Sequence, residues 1–175
     1  ISSGLVGSEM CIRDSQYTMW CDDNGSVLDD GTLFKFGVDD FRICCQERNL
    51  PWLIDTSSGF DVEIIEETDD IAGLSIQGPT SASVLIKAGY NLIEKLKPFE
   101  MIETQDKLLI SRTGFTGDLG YEIFLPNKLA KITWDKIWKA GENLGIKAIG
   151  LNALNIARIE TGFIVTNSDF ITCLL

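Results

Sequence analysis

Residues 111–124 read SRTGFTGDLGYEIF, and this stretch carries three glycines at every third position, Gly114, Gly117 and Gly120. The residues on either side, 107–111 and 121–125, are mostly apolar and predict two strands joined by a tight loop. Glycine tolerates a positive φ and lets another backbone or a ligand come close. The loop is therefore either a structural hairpin or a place where a ligand contacts the backbone, and spacing alone leaves both interpretations open.

Composition limits the partners of the chain. It has 175 residues, a formal net charge of -11 and no histidine. Phosphate binding needs clustered Lys and Arg, so we expect no nucleic-acid partner. The lack of histidine excludes Ser-His and Cys-His nucleophile systems and His-rich metal sites, and we expect no metal. No stretch approaches the roughly 18 to 20 continuous apolar residues of a membrane span, so no membrane partner is expected. The cysteines form no C-x-x-C pair, which indicates reduced thiols in a cytoplasmic protein.

The two ends of the chain do not match its interior. Residues 1–15 read ISSGLVGSEMCIRDS, without the features of a signal peptide, and resemble translated sequencing-adapter read-through. Residues 172–175 resemble the start of a similar string. We therefore expect non-native tails at 1–15 and 172–175, and an interior of 16–171 that is a fragment of a longer protein.

Strands and helices alternate irregularly along the interior. Residues 17–46 predict a meander of strands, with Asn24-Gly25 as one turn and Asp29-Asp30-Gly31 as another. Further strands are predicted at 60–66, 71–77 and 100–103, and helices at 81–88, 128–144 and 151–161. Because the strands often pair locally, the pattern favours the α+β class, with antiparallel or mixed sheets and packed helices, over a doubly wound parallel sheet.

Two groups of charged residues are candidates for a site. The adjacent carboxylates Asp29 and Asp30 suit a turn, but either could hold a cationic or N–H-bearing ligand if it points into a pocket. Arg158 lies in a mostly apolar predicted helix and therefore needs a partner. That partner is either an acidic residue of the chain or the carboxylate of a ligand.

Four stretches resemble the glycine cleavage system T protein family, the tetrahydrofolate-dependent aminomethyltransferases. They read VLDDGTLFKF, LSIQGPTSASVL, SRTGFTGDLGYEIFLP and GLNALNIARIETG, and they follow the family's order. The similarity is greatest to T-protein-like relatives. It implies an incomplete folate-binding fold, in which residues 16–171 supply fragments of two subdomains. It also implies tetrahydrofolate as the cofactor and transfer of an aminomethyl or methylene group as the reaction.

The resemblance also implies roles for single residues. An aspartate of the family lies beside the reactive pterin, so Asp29 or Asp30 takes the catalytic place here, with Asp29 preferred. Glu122 matches a pterin-contacting position, and Arg158 matches the arginine of the family's helix motif. The cofactor-binding candidates are Glu122, Arg158, Arg112 and Tyr121.

One departure from the family concerns the one-carbon donor. Ala153-Leu154-Asn155 stands where the family usually has Ala-Arg-Asp, so one basic and one acidic group are lost. We expect folate and either a small amine or a lipoyl-borne one-carbon donor as partners. The alternatives are a non-catalytic folate-binding factor, a demethylase, or a T-like module of a sarcosine- or dimethylglycine-oxidising enzyme. The fragment alone is expected to be inactive, because missing domains would leave apolar faces exposed.

Overall fold

The computed structural model describes residues 11–172, and residues 1–10 and 173–175 lie outside the described part. Most of the two tails predicted to be non-native is therefore outside it, and their origin stays a prediction. The described end of the N-terminal tail contacts the fold. Asp14 forms an isolated β-bridge with Glu100, and Ser15 is the first residue of a strand.

The described residues contain strands and helices in an irregular order, which confirms the α+β class. The strands are β1 (Ser15–Cys21), β2 (Val27–Lys35), β3 (Phe41–Cys45), β4 (Ile71–Gln77), β5 (Met101–Glu103), β6 (Leu109–Ser111) and β7 (Gly120–Pro126). The α-helices are α1 (Leu50–Thr56), α2 (Ser81–Lys87), α3 (Ala130–Gly141) and α4 (Leu151–Glu160). Short 3-10 helices span Asn91–Lys95, Asn127–Leu129 and Glu142–Leu144.

The strands of the described region form two antiparallel sheets. One contains β1, β2 and β3 in that order, and the other has the order β4-β7-β6-β5. The predicted turn at Asn24-Gly25 joins β1 to β2, and Gly25 has the φ of +82° that favours glycine. The predicted glycine loop joins β6 to β7, so residues 111–124 do form strand, loop and strand.

The predicted turn at Asp29-Asp30-Gly31 is wrong, because all three residues lie inside β2. They pair with β1, where Trp20 faces Asp29 across the ladder. Gly31 allows a close approach rather than a turn: a Cβ there would lie 2.2 Å from the carbonyl oxygen of Cys44 on β3. Two adjacent carboxylates can occupy a strand here because other groups of the chain donate hydrogen bonds to both.

The predicted strand at residues 60–66 is also wrong, because these residues have no regular secondary structure. Most of their apolar side chains remain exposed, as Phe60 at 69% and Ile65 at 71% show. Alternating apolar residues need a neighbouring strand to pair with. No strand of residues 11–172 pairs with this segment.

The two faces of the four-stranded sheet have different roles. One face packs against α2 and α3 and forms the main core, to which β7 contributes Tyr121, Ile123 and Leu125. The opposite face packs against the three-stranded sheet, where the rings of Phe34 and Phe124 meet edge to face with centroids 5.2 Å apart. Because side chains alternate along a strand, β7 presents its core residues to the helices and Glu122 to the other sheet.

Candidate active site

A cavity of about 310 Å³ lies between the two sheets, next to the glycine loop. Two carboxylates that the sequence singles out, Asp30 and Glu122, both line it. The remaining lining residues are Tyr17, Gly31, Thr32, Cys44, Cys45, Gln46, Phe115, Phe124, Ile164, Val165 and Thr166. A second cleft of about 790 Å³ opens at the other end of β7 and contains none of the predicted site residues.

Asp30 reaches the cavity from the middle of β2. The phenol of Tyr17 donates a hydrogen bond of 2.6 Å to its Oδ2 atom. The hydroxyl of Thr166 contacts its Oδ1 atom. The carboxylate is half-buried and held from both sides, so its orientation is set by the chain before any ligand arrives.

Asp29 points away from the cavity and is fully buried, at 0% exposure. Its Oδ2 atom accepts hydrogen bonds from Asn49 Nδ2 at 2.7 Å and from the backbone N–H of Glu47 at 3.3 Å. Its Oδ1 atom accepts from the backbone N–H of Asp30 at 2.9 Å and lies 3.0 Å from the hydroxyl of Thr166. The geometry makes Asp29 an internal anchor and Asp30 the cavity carboxylate, the reverse of the preference drawn from the sequence.

Glu122 enters the cavity from β7. Thr113, in the glycine loop, donates a hydrogen bond of 2.5 Å to its Oε2 atom and lies 3.1 Å from the hydroxyl of Ser111. Within residues 11–172 no hydrogen bond is made to its other oxygen, Oε1. Glu122 therefore keeps one acceptor for a ligand while the loop holds the other.

The glycines of the loop accommodate side chains of the protein itself. A Cβ on Gly114 or Gly120 would lie 2.1 Å or 1.7 Å from the side-chain oxygen of Gln77. Gly117 has a φ of +73°, and a Cβ there would lie 1.9 Å from Thr161 at the end of α4. Of the two interpretations left open by spacing, the structure supports the structural one for the glycines themselves. The ligand-facing feature of the hairpin is the Glu122 side chain.

Arg112 and Tyr121 lie away from the cavity. Tyr121 follows Gly120 and precedes Glu122 on β7, so its ring points into the helix-facing core, where it is 3% exposed. Burial raises the pKa of Tyr121, and the charge of Arg112 opposes that increase. Arg112 donates a hydrogen bond of 2.7 Å to the carbonyl oxygen of Leu96. Neither residue is among those that line the cavity.

Arg158 is buried, at 3% exposure, and has a partner within the chain. Its guanidinium forms an ion pair with Asp169 and donates hydrogen bonds to the carbonyl oxygen of Phe163 at 3.0 Å and to Asn155 at 2.8 Å. Of the two partners considered for Arg158, the structure contains the acidic residue of the chain. Asn155, which stands where the family usually has Asp, still accepts the arginine's hydrogen bond.

The sequence analysis missed the two cavity residues that hold the Asp30 carboxylate. Tyr17 pairs with Thr32 across the β1–β2 ladder, and its phenol reaches diagonally to Asp30, two residues from Thr32 on the same face of β2. The predicted hairpin could have indicated this contact. Thr166 lies 136 residues after Asp30 in the chain, and no spacing signal connects them.

The titratable groups around the cavity argue against a nucleophilic side chain. Burial raises the pKa of Cys44 to about 11 and that of Cys45 to about 11, which disfavours their thiolates. Burial also raises the pKa of Tyr17, and its hydrogen bond to Asp30 and the charges of both aspartates raise it further. No group of three or more Cys, Asp or Glu residues within 11–172 is arranged to hold a metal ion.

The fold and this sequence place the chain in a known class. It belongs to the family of the GCVT N-terminal domain, because the sequence model of that family matches residues 8–173. Similar relatives are the aminomethyltransferases of Clostridium botulinum (strain Okra / Type B1), 33% identical over 168 residues, and of Thermoanaerobacter pseudethanolicus, 34% identical over 161 residues. These alignments cover 90% and 86% of this chain but only 45% and 44% of the relatives.

A solved structure agrees with this assignment. The crystal structure of glycine cleavage system aminomethyltransferase T from Bartonella henselae superposes with a TM-score of 0.82 at 28% identity, over 92% of this chain and 44% of that one. The resemblance drawn from the four motifs is thereby confirmed, and the chain spans less than half the length of these relatives. Among the described residues, no helix is both long and apolar enough to cross a membrane.

Proposed function

We propose that this chain is part of a tetrahydrofolate-dependent aminomethyltransferase and contributes two carboxylates to its pterin site. The observation that carries the proposal is that Asp30 and Glu122, which lie on different sheets, line the same cavity. The family and the names of the relatives support transfer of an aminomethyl group as the reaction class. They give no support to the non-catalytic factor, the demethylase or the oxidising module considered as alternatives.

The cavity suits the ring of a reduced pterin. Its volume of about 310 Å³ is at the lower end of the range of about 300–1,000 Å³ typical of small-molecule pockets. Phe115, Phe124 and Ile164 supply apolar walls, and the two carboxylates supply acceptors for ring N–H groups. When bound, the reduced pterin supplies the nucleophilic nitrogen, so the protein needs no histidine or thiolate.

The residues of the chain have distinct tasks in this proposal. Glu122 accepts hydrogen bonds from the pterin edge through Oε1, to which no described residue donates, and thereby orients the ring. Asp30 places a negative charge where positive charge develops during the transfer. Tyr17 and Thr166 hold Asp30 in that position, so little reorganisation is needed at the moment of reaction.

The donor in this proposal is a small amine or a lipoyl-borne aminomethyl group. Asn155 keeps one contact of the helix motif, whereas Leu154 stands where the family usually has a basic residue. A screen of both donor types with one acceptor, tetrahydrofolate, distinguishes them. A cytoplasmic location and inactivity of the 175-residue chain alone remain predictions.

Binding of tetrahydrofolate to the longest natural polypeptide that contains this chain tests the proposal. Charge-assisted hydrogen bonds contribute about 1.5–3 kcal/mol, so Asp30→Asn and Glu122→Gln should each weaken binding roughly tenfold to a hundredfold. Glu142→Gln, an exposed carboxylate at the end of α3, is the matched control and should leave affinity unchanged. Absence of binding by the wild type, or an unchanged dissociation constant in the Asp30→Asn/Glu122→Gln double variant, would refute the proposal.

A further inference from the structure

We propose that Arg158 is a positioning residue that acts on Asp30 through residues 163–170, here named the strap, and not by binding a cofactor carboxylate. The inference rests on the proposed function, because it concerns how the same cavity is kept in shape. It assigns roles to Thr166 and Asp169, to which the resemblance gave none, and it replaces the cofactor-binding role expected for Arg158.

The strap forms one wall of the cavity. Ile164, Val165 and Thr166 are among the residues that line it. At the start of the strap, the ring of Phe163 stacks on Phe115 of the glycine loop, with centroids 5.4 Å apart and planes 15° apart. The strap therefore contacts the loop that carries Thr113 and leads into Glu122.

Arg158 fixes the strap at two points. It donates to the carbonyl oxygen of Phe163 at 3.0 Å and pairs with Asp169 near the other end. Asp169 in turn accepts a hydrogen bond of 2.7 Å from the backbone N–H of Val165, so it closes the strap into a compact turn. That N–H bond, followed by the contact with Arg158, lowers the pKa of Asp169. Arg158 and Asp169 together set the path of the backbone between Phe163 and Asp169.

Thr166, in the middle of that path, connects the strap to β2. Its hydroxyl contacts Oδ1 of Asp30 and lies 3.0 Å from Oδ1 of Asp29. Its carbonyl oxygen accepts a hydrogen bond of 3.2 Å from Gln46. Because a hydroxyl carries one proton, Thr166 donates to one aspartate at a time, and its exact placement decides how Asp30 is held.

The same geometry argues against direct binding of a cofactor carboxylate by Arg158. The guanidinium is buried and already contacts Asp169, Asn155 and a backbone carbonyl. Arg158 is absent from the cavity lining, whereas its dependent residue Thr166 is present. A ligand carboxylate would have to displace Asp169 and break the turn of the strap.

Two ligands separate positioning from direct binding. Tetrahydrofolate carries a glutamate tail with carboxylates, whereas 6-methyltetrahydropterin has the same reduced ring without that tail. In the longest natural polypeptide that contains this chain, we expect Arg158→Lys and Asp169→Asn to weaken both ligands by the same factor, roughly tenfold. Thr166→Val should do the same, and Thr166→Ser, which keeps the hydroxyl, should bind like the wild type. Lys131→Ala, which removes the exposed pair of Lys131 with Asp135, is the control and should change neither affinity.

Two results of these binding measurements would contradict the positioning role of Arg158. A loss confined to tetrahydrofolate in Arg158→Lys, or unchanged binding of both ligands in Asp169→Asn, would overturn the inference. If the wild type binds neither ligand, the proposed function fails, and the inference is then decided without ligand. In that case Arg158→Lys and Asp169→Asn should both accelerate amide hydrogen exchange at Val165 and shift the ¹³C signal of the Asp30 carboxyl group as Thr166→Val does. An unchanged Asp30 signal would overturn it.

Discussion

Replacement of Gly120 by Ala tests the explanation of the glycine loop most directly. Gly120 faces Gln77 across the β4–β7 ladder, and the Gln77 amide folds over the space where a Cβ would stand. The new atom would lie 1.7 Å from Oε1, 2.2 Å from Cδ and 2.6 Å from Nε2 of Gln77. Since no real pair of atoms tolerates these distances, the Gln77 side chain must leave its place.

The cost follows from what Gln77 loses. Its Nε2 atom donates to Ser75 at 2.9 Å, and its Oε1 atom accepts from Thr116 at 3.3 Å. Loss of the shorter bond costs about 0.5–1.5 kcal/mol, and overpacking adds about 1–3 kcal/mol. The lower entropy of the unfolded chain with Ala returns about 0.4–1 kcal/mol. The central values of these ranges give a net loss of about 2 kcal/mol in the free energy of unfolding.

Urea unfolding of a double-mutant cycle measures this effect. With Gln77→Ala in place, the atoms that clash are gone, so Gly120→Ala should cost less than about 1 kcal/mol. The single Gly120→Ala variant should lower Tm by about 4–8 °C, since about 2–4 °C corresponds to 1 kcal/mol at this size. An equal cost of Gly120→Ala in both backgrounds would show that Gln77 is not the reason for the glycine.

Three further predictions concern the groups around the cavity. Asp29→Asn should lower the free energy of unfolding by about 2–4 kcal/mol in a urea titration, because the buried NH2 group of an amide cannot accept the hydrogen bonds that one carboxylate oxygen accepts. The half-buried Asp30→Asn should cost less than about 1 kcal/mol. Because the pKa of Tyr17 is raised in the folded protein, the stability that Tyr17 contributes is complete below its ordinary pKa of about 10 and is lost as the pH rises further. The free energy of unfolding should therefore fall less between pH 9 and pH 11.5 in Tyr17→Phe than in the wild type. Cys44 and Cys45, with pKa values of about 11, should have roughly one thiolate in a thousand at pH 8, and mass spectrometry should show slow iodoacetamide labelling until the chain is unfolded.

Local sequence signals predicted the elements that depend on local chemistry. Asn24-Gly25 predicted a turn correctly, because these two residue types readily adopt the positive φ that a tight turn needs, whatever surrounds them. β4 and β7 were predicted because their apolar residues fill the described core. Residues 60–66 were wrongly predicted as a strand, because alternation of apolar and polar residues carries no information about whether a pairing strand exists.

The site depended on contacts that no local pattern contains. The preference for Asp29 over Asp30 was a choice between adjacent residues on a strand. Their different surroundings depend on distant partners, because Asn49 donates to Asp29 and Tyr17 donates to Asp30. The glycine spacing indicated close approach correctly, but the approaching group is Gln77, 43 residues before Gly120. The two-sided alternation of β7 explains why Glu122 reaches the cavity and Tyr121 does not.

The cavity is assembled from β1, β2, β3, the glycine loop, β7 and the strap, and Thr166 meets Asp30 across 136 residues of chain. Contacts of such sequence separation form late, since the entropy of closing the intervening chain must be overcome first. A chain in which both sheets had formed without this contact would have no complete pocket. Any ligand of this pocket selects the finished molecule and stabilises it by mass action. The fraction of chains that bind ligand therefore reports the fraction of chains that have folded correctly.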